Sequence, residues 1–333
     1  IACGNVFILK PSEKDPSCSL KLAELFSEAG LPDGVFNVIN GDKEIVNMLL
    51  RSPEISSISF VGSTPVAKYI YEESARNLKR VQALGGAKNH LIVMPDANLE
   101  PAVDGIIGAA YGSAGERCMA VSVAVAVGNI ADSLINNLVK NIEGLKIGPF
   151  TDKESNMGPL ISKEHLGKVN SYIQSGVEEG AKLIVDGRKL KLQGYENGYF
   201  LGPTLFDNVT KEMKIYKEEI FGPVLSLVRA TNYEEALTLV NDHPFGNGSS
   251  IYTSNGDIAR NFTTNSKIGM VGVNVPIPVP AASHSFGGWK NSLFGDSAIY
   301  GSEGIRFFTK LKTTTSRWPS NMLKGPEYKI PTN

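Results

Sequence analysis

Residues 58–71 of this chain read Ile-Ser-Phe-Val-Gly-Ser-Thr-Pro-Val-Ala-Lys-Tyr-Ile-Tyr, a pattern that predicts a strand, a tight turn and a helix. The apolar run Ile58–Val61 is the strand, and Gly62 permits the turn. Thr64 is a good helix N-cap residue, and Pro65 suits the first helical position. The free amides and the positive dipole end of such a helix bind phosphate groups well. This is not the GxGxxG motif of the common dinucleotide fold, so on its own an ordinary turn explains it as well.

The same alternation of strands and helices continues on both sides of this turn. Strands that alternate with helices at this spacing predict an α/β fold with a parallel sheet covered on both faces. Upstream, we expect strands at Val6–Leu9 and Val35–Ile39 and helices at Pro16–Ala29 and Ile45–Leu50. Downstream, we expect helices at Leu99–Tyr111, Ala131–Leu145 and Lys163–Glu179, and strands at Leu91–Met94, Val121–Val127, Leu183–Val185, Leu225–Val228, Ser250–Thr253 and Met270–Val273.

The length of 333 residues is more than one compact core usually holds, which predicts more than one domain. Leu84-Gly85-Gly86 interrupts the alternation and is the predicted first boundary, so that the parts are residues 1–84, 85–285 and 286–333. Near the end, Phe307–Ser316 alternates apolar and polar residues of high β-propensity. That pattern predicts an exposed edge strand.

Composition excludes several classes of function. Lys and Arg total 33 against 34 Asp and Glu, which leaves no basic surface for nucleic acid or an anionic membrane. No apolar run reaches the roughly 20 residues that span a bilayer. The three cysteines, Cys3, Cys18 and Cys118, are too few and too scattered for a disulfide framework, as expected in a reducing compartment. The four histidines have no metal-ligand spacing, so no zinc site is expected.

Cys118 is the best candidate nucleophile. It ends the loop Gly112-Ser113-Ala114-Gly115-Glu116-Arg117-Cys118, in which small residues let backbone N–H groups approach an oxyanion. The cation of Arg117 beside it predicts a depressed thiol pKa. The alternative is a buried structural cysteine, which is how we interpret Cys3 and Cys18.

Two further motifs are candidates for cofactor contacts. Lys10-Pro11-Ser12-Glu13 follows the first strand, at the sheet edge where ligands of parallel sheets bind, and its charged ends suit the hydroxyls of a ribose. Glu219-Ile220-Phe221 precedes a strand and offers a carboxylate for a sugar and a ring for packing. Alone, the first is also consistent with a solvated loop and the second with an amphipathic turn.

Taken together and in order, these blocks resemble the aldehyde dehydrogenase superfamily over essentially the whole chain. Arg117, Trp289 and the tail Thr315–Pro319 resemble its methylmalonate-semialdehyde dehydrogenase branch, which is CoA-acylating. The blocks are Lys10-Pro-Ser-Glu13, Phe60-Val-Gly62-Ser63-Thr64, Leu84-Gly85-Gly86, Gly115-x-Arg117-Cys118, Glu219-Ile-Phe221-Gly-Pro-Val, Ser285-Phe-Gly-Gly-Trp289-Lys290 and Lys310-x-Lys312-Thr313.

The resemblance implies a Rossmann-type cofactor domain in residues 1–84, a thiol domain in 85–285, and a C-terminal segment with an oligomerisation strand. It implies that Cys118 attacks an aldehyde, that hydride passes to NAD, and that a thioester remains on the sulfur. Arg117 would bind the carboxylate of a semialdehyde substrate. The implied cofactor contacts are Lys10 and Glu13 at the adenosine ribose, Gly62 and Ser63 at the pyrophosphate, Leu84, and Glu219 and Phe221 at the nicotinamide ribose and ring.

The fate of the thioester depends on one position. Hydrolytic members carry a glutamate directly before Leu-Gly-Gly that activates water, and here that residue is Ala83. This predicts release to coenzyme A, which gives propionyl-CoA or acetyl-CoA from methylmalonate or malonate semialdehyde. Glu116, a glutamine in many relatives of the branch, is the alternative base, and a hydrolytic enzyme is the alternative function.

The family's chains extend further at the N-terminus than this sequence, which starts at Ile1 without an initiator Met. We expect the first cofactor strands, a second substrate arginine and an oxyanion-hole asparagine to lie upstream. Either the sequence is part of a longer active enzyme, or it is a short, non-catalytic member with an incomplete cofactor sheet. The family also implies a homodimer or homotetramer, cytoplasmic in a bacterium and in the mitochondrial matrix in a eukaryote.

Overall fold

The computed structural model describes residues 1–316 and Trp318. In this part of the chain, strands and helices alternate as the sequence predicts, and parallel strands form the central sheet. The strands are β1 (Phe7–Leu9), β2 (Phe36–Val38), β3 (Ser57–Val61), β4 (Arg80–Leu84), β5 (Asn89–Val93), β6 (Val121–Val127), β7 (Lys182–Val185), β8 (Thr204–Asp207), β9 (Val224–Ala230), β10 (Phe245–Gly246), β11 (Gly248–Tyr252), β12 (Met270–Val273), β13 (Trp289–Lys290) and β14 (Leu293–Phe294). The helices are α1 (Ser17–Glu28), α2 (Lys43–Arg51), α3 (Thr64–Arg76), α4 (Leu99–Tyr111), α5 (Ala131–Glu143), α6 (Lys163–Glu178), α7 (Lys214–Lys217), α8 (Tyr233–Asp242), α9 (Gly256–Asn265) and α10 (Gly301–Phe308).

A seven-stranded sheet, in the order β12-β11-β5-β6-β9-β8-β7, forms the centre of the larger part. Its neighbours pair in parallel except β7, which runs antiparallel to β8 at the edge. Every residue of β5 is buried, and so are nearly all residues of β6. Strands buried on both faces lose the strict alternation of apolar and polar residues, which is why Leu91–Val93 and most of β6 are apolar.

The first part of the chain holds two smaller sheets. β1 pairs in parallel with β2, and β3 pairs in parallel with β4. β14 returns from the C-terminal segment to the other edge of β4, in antiparallel orientation. Between β4 and β5 the chain leaves this sheet for the seven-stranded one, at the Leu-Gly-Gly sequence. The domain boundary itself remains a prediction.

Several elements were missed in the sequence, among them β4, whose Arg80 and Gln82 interrupt the apolar pattern. Gln82 is nevertheless fully buried and hydrogen-bonds Ser59 on the neighbouring strand. A polar side chain that finds a partner between strands looks like a loop residue in the sequence. The helices α8 and α9 and the short strand β8 were missed as well.

The predicted C-terminal edge strand at 307–316 is not formed. Its first two residues end α10, and residues 309–316 have no regular structure. Arg80 holds this stretch instead, because its guanidinium donates to the carbonyls of Arg306 and Thr309 at 2.7 and 2.6 Å. An edge strand needs a second strand to complete its hydrogen bonds, and among residues 1–316 no strand pairs with this stretch. Arg317 and Pro319 of the tail motif lie outside the described residues. In the described part, no helix is long and apolar enough to cross a membrane.

Candidate active site

The loop that carries Cys118 begins with a left-handed turn at the end of α4. Ser113, Ala114 and Gly115 have φ angles of 51°, 53° and 71°. Such a conformation costs an ordinary residue roughly 1–2 kcal/mol, whereas glycine adopts it freely. Strain of this kind persists only where the surrounding contacts determine the backbone, and it often accompanies functional sites. The turn directs the chain from the buried helix end to the surface of a cleft.

Two buried asparagines anchor the loop at the cysteine itself. Asn89 and Asn247 each donate a side-chain N–H to the carbonyl of Cys118, at 2.9 and 3.0 Å. Asn89 also donates to the carbonyl of Ala120 and accepts the backbone N–H of Gly248. These two residues were missed in the sequence. An asparagine that opens an otherwise apolar strand, as Asn89 does, is the available signal, because a buried amide must find partners.

The environment of the Cys118 thiol corrects the prediction of a depressed pKa. Burial raises the pKa of Cys118, and the negative charge of Glu219 raises it further. The backbone N–H groups of Cys118 and Met119 act in the opposite direction, since hydrogen bonds to sulfur favour the thiolate. Arg117 does not contribute, because its guanidinium points back along the loop. The structure therefore shows a partly buried thiol near two amides, without a cation beside it.

Arg117 turns toward the end of α4. Its Nε donates to the hydroxyl of Ser113 at 3.0 Å, and its guanidinium packs on the backbone of Gly112, where an added Cβ would lie 2.9 Å from Nη1. The side chain is exposed and makes no ion pair with any acidic residue in the described part of the chain. An arginine with free donors can take the carboxylate of a ligand.

The opposite side of the cleft is formed by Glu219 and Phe221. Glu219 Oε1 accepts the backbone N–H of Ala87 at 2.8 Å, and burial raises the pKa of Glu219. Phe221 has a φ of 58°, an outlier for a bulky residue, and its ring is partly exposed. The structure thus brings these two predicted residues together with Cys118 in one cleft. The lining residues are Ala87, Asn89, Ala110, Gly115, Arg117, Cys118, Ala120, Val121, Ser122, Glu219, Ile220, Phe221, Gly222 and Val224.

The remaining predicted contacts follow β1 and β3. Lys10 and Glu13 lie together, with Nζ 3.3 Å from the carboxylate, and Lys10 also donates to the carbonyl of Gly41. Backbone and Lys10 hydrogen bonds lower the pKa of Glu13. Leu84 is buried, and its carbonyl accepts the N–H of Gly62 at 3.1 Å, so the ends of β3 and β4 are joined.

The start of α3 differs in one detail from the prediction. The helix begins at Thr64, so Ser63 is the N-cap residue, and no side chain caps the helix. Thr64 Oγ1 instead accepts the N–H of Gly86 at 2.9 Å, which ties this turn to the chain beside Glu219. A Cβ on Gly86 would lie 2.5 Å from Glu219 Oε2, so only glycine lets the carboxylate pack this closely.

These features fit a dinucleotide. The uncapped start of α3 offers amides for phosphate, and Glu219 has Oε2 without a hydrogen-bond partner among the described residues. A larger open groove of about 760 Å³ lies between α4 and α5, but it contains no cysteine, so we assign the chemistry to the Cys118 cleft. No cluster of potential metal ligands occurs in the described part of the chain.

Residues 1–314 match the aldehyde dehydrogenase family, and the chain belongs to it. A malonate-semialdehyde dehydrogenase of Pseudomonas aeruginosa is 61% identical over 96% of this chain and 64% of its own length. A second, of Halalkalibacterium halodurans, is 52% identical over 96% and 65%. The chain therefore spans just under two thirds of the length of the relatives it matches.

Solved structures agree with this assignment. A Sinorhizobium meliloti 1021 protein provisionally assigned as a methylmalonate-semialdehyde dehydrogenase, complexed with NAD, has a TM-score of 0.95 at 61% identity. It covers 96% of this chain, which covers 66% of that one. The methylmalonate-semialdehyde dehydrogenase of Oceanimonas doudoroffii has a TM-score of 0.94 at 56% identity, with coverage of 95% and 65%. The predicted family and α/β fold are confirmed.

Proposed function

We propose that this chain carries the catalytic thiol of an NAD-dependent, CoA-acylating dehydrogenase. Its substrates are malonate or methylmalonate semialdehyde, and its products are acetyl-CoA or propionyl-CoA. The observation that carries the proposal is the position of Cys118, partly buried in a cleft opposite Glu219 and Phe221. The names of the similar proteins support the substrate class.

NAD would be held by three groups of residues. Ser63 and the uncapped start of α3 would hold the pyrophosphate, and Lys10 and Glu13 would hold the adenosine ribose. Glu219 and Phe221 would hold the nicotinamide ribose and ring. When bound, the nicotinamide accepts the hydride of the aldehyde carbon.

The Cys118 thiol gives up its proton to solvent, its sulfur forms a bond to the carbonyl carbon, and the electron pair of the C=O bond moves to oxygen. The backbone N–H groups that lower the pKa of the thiol are also suited to this oxyanion. Arg117 holds the carboxylate of the substrate, because its guanidinium has no acidic partner among the described residues. Loss of hydride from the carbon restores the C=O bond and leaves an acyl group on the sulfur. The C–C bond to the carboxylate then breaks and CO₂ leaves; the electron pair of that bond stays on the acyl group as a thioester enolate, which takes up a proton from solvent and so leaves the two-carbon or three-carbon acyl group on the sulfur.

Release to coenzyme A rather than to water is supported by two residues. Ala83, which stands where hydrolytic relatives carry the glutamate base, is fully buried in a small core with Leu50, Ala67 and Ile70. Glu116, the alternative base, is not among the residues that line the Cys118 cleft, and its Oε1 accepts the N–H of Ile161 at 3.2 Å. With neither group placed in the cleft to activate water, the thioester persists until a thiol attacks it.

The test is NADH formation from malonate semialdehyde, with and without coenzyme A. We expect turnover that requires both coenzyme A and Cys118, so a Cys118→Ser variant is inactive. Cys3 and Cys18 are both exposed, so their interpretation as buried structural cysteines was wrong. Cys18→Ser, on α1, is therefore the matched control, and it should retain full activity. Equal turnover without coenzyme A would favour a hydrolytic dehydrogenase. NAD binding without any turnover would indicate a non-catalytic member of the family.

A further inference from the structure

One face of α6 packs against residues 218–222, which we call the cofactor-side segment. His165, Val169 and Tyr172 are four and then three residues apart, so they lie on the same side of the helix. His165 Nε2 lies 2.5 Å from the carbonyl oxygen of Phe221, and the hydroxyl of Tyr172 donates to Glu218 Oε2 at 2.6 Å. Between them Val169 fills the space beside Gly222, where an added Cβ would lie 2.7 Å from its Cγ2.

The contact of His165 falls at the most strained point of this segment. Phe221 has a φ of 58°, and a bulky residue adopts that conformation only when its surroundings require it. His165 binds the backbone carbonyl of Phe221 itself. Since Phe221 also lines the Cys118 cleft, the orientation of its peptide affects the shape of the site.

His165 also reaches the loop of the thiol. Its Nε2 lies 3.4 Å from Glu116 Oε1, and Glu116 is two residues before Cys118. The two side chains are only 15% and 16% exposed, so water competes weakly with the contact. The same nitrogen therefore faces acceptors on both walls of the cleft. The hydrogen bond to the Phe221 carbonyl assigns the ring proton to Nε2, and the approach to Glu116 Oε1 is a close polar contact beside that bond.

The two walls also touch directly, through backbone atoms. A Cβ on Gly115 would lie 2.2 Å from the carbonyl oxygen of Gly222. A movement of the cofactor-side segment therefore displaces the thiol loop. His165 is the polar side chain that bridges the same two segments, from α6.

We propose that His165 is a positioning residue. Together with Glu116, it couples the cofactor-side segment to the thiol loop, residues 112–118. It does not touch the reacting atoms; it fixes the Phe221 peptide and, through Glu116, the loop that carries Cys118. Binding of NAD then restrains the Cys118 thiol. Without the His165 contacts, NAD binding no longer affects the thiol. This proposal rests on the proposed function, which assigns Glu219 and Phe221 to NAD.

The test compares four single variants and the double variant of Glu116→Leu with His165→Leu against the wild-type full chain. His165→Leu removes the donor, His165→Gln keeps an N–H at a similar place, Glu116→Leu removes the second acceptor, and Lys163→Leu is the control. Lys163 lies exposed on the same helix and makes no side-chain hydrogen bond among the described residues. NAD affinity is measured by titration without substrate. The rate of Cys118 alkylation by iodoacetamide is measured with and without saturating NAD, and thermal melting confirms that each variant is folded.

We expect His165→Leu to weaken NAD binding about tenfold, the loss expected when a buried carbonyl is left without its donor. We also expect NAD to alter the alkylation rate in wild type and no longer to do so in His165→Leu. His165→Gln should recover NAD affinity to within about threefold of wild type. Glu116→Leu should remove the effect of NAD on alkylation, and the double variant with His165→Leu should be no worse than His165→Leu alone, since both remove one bridge.

Unchanged NAD affinity and an unchanged effect of NAD on alkylation in folded His165→Leu would overturn the proposal. Failure of His165→Gln to recover any affinity would overturn it as well, because the hydrogen bond would then not be what matters. Wild-type protein that binds NAD but makes no NADH would refute the proposed function only, since both readouts are independent of turnover. Wild-type protein that does not bind NAD would refute both.

Discussion

Substitution of Gly115 by alanine tests whether the two walls of the cleft are as close as the structure shows. An added Cβ would lie 2.2 Å from the carbonyl oxygen of Gly222 and 2.5 Å from its carbonyl carbon. Both atoms belong to the backbone, so no side chain can rotate away. The oxygen would have to retreat by roughly 1 Å to reach ordinary contact. Gly115 also has a φ of 71°, which alanine adopts only at a cost.

The two effects give the expected magnitude. Overpacking typically costs about 1–3 kcal/mol, and a left-handed residue with a Cβ costs about 1–2 kcal/mol more. We therefore expect Gly115→Ala to lower the free energy of unfolding by roughly 2–5 kcal/mol, which for a chain of 333 residues lowers the melting temperature by roughly 3–7 °C. A displacement of about 1 Å between catalytic groups also reduces turnover on the order of 10²-fold.

Gly108→Ala is the matched control, seven residues earlier in α4. A Cβ there meets nothing within 4 Å, and alanine stabilises a helix interior by about 1 kcal/mol relative to glycine. The same chemical change should therefore raise the melting temperature at Gly108 and lower it at Gly115. Thermal melts followed by circular dichroism measure the two melting temperatures, and NADH formation measures turnover. A Gly115→Ala protein that melts at the wild-type temperature with wild-type turnover would show that the close approach of residues 115 and 222 is not real.

Three other outcomes follow from the site. Glu219→Gln removes the negative charge that raises the pKa of Cys118. The pH midpoint of the rate of Cys118 alkylation, measured without NAD, should therefore move to lower pH. A shift to higher pH would contradict this effect of Glu219 on the thiol. Arg117→Met should raise the KM for malonate semialdehyde at least about tenfold while hardly changing that for propanal, since only the former carries a carboxylate; equal losses for both substrates would exclude this role. Asn247→Ala leaves the Cys118 carbonyl with Asn89 alone, and chemical denaturation should show a loss of about 1–3 kcal/mol, whereas an unchanged midpoint would mean that water replaces the amide.

Much of the fold was predictable because local patterns specify it. The apolar residues Leu91–Val93 of β5, the apolar pattern of β6 and the turn residues before α3 can each be recognised from neighbours in sequence. The family was identified from several sequence blocks in a fixed order, none of which is specific on its own. The elements that were missed depend on distant partners: β4 contains Gln82, whose place in the core requires Ser59 on another strand.

Of the predicted site residues, Cys118, Glu219 and Phe221 line one cleft, and their roles remain predictions. The depressed thiol pKa was wrong because adjacency in sequence does not give side-chain direction, and Arg117 points toward Gly112 instead of the sulfur. Asn89, Asn247 and His165 were missed for a related reason: their partners are 29, 129 and 56 residues away. The C-terminal edge strand was wrong because alternation indicates a surface suited to pairing, and no neighbouring strand pairs with it here.

The pairing of β14 with β4 has a consequence for the order in which the protein is made. Leu84 leaves the ribosome long before Leu293, its partner across the sheet. At translation rates of about 5–20 residues per second, one edge of β4 remains unpaired for roughly 10–40 s until β14 has been synthesised. During that interval the nascent chain displays open backbone donors and acceptors, which other strands can capture. A ribosome that stalls between these two residues therefore releases its chain at the stage most prone to aggregate.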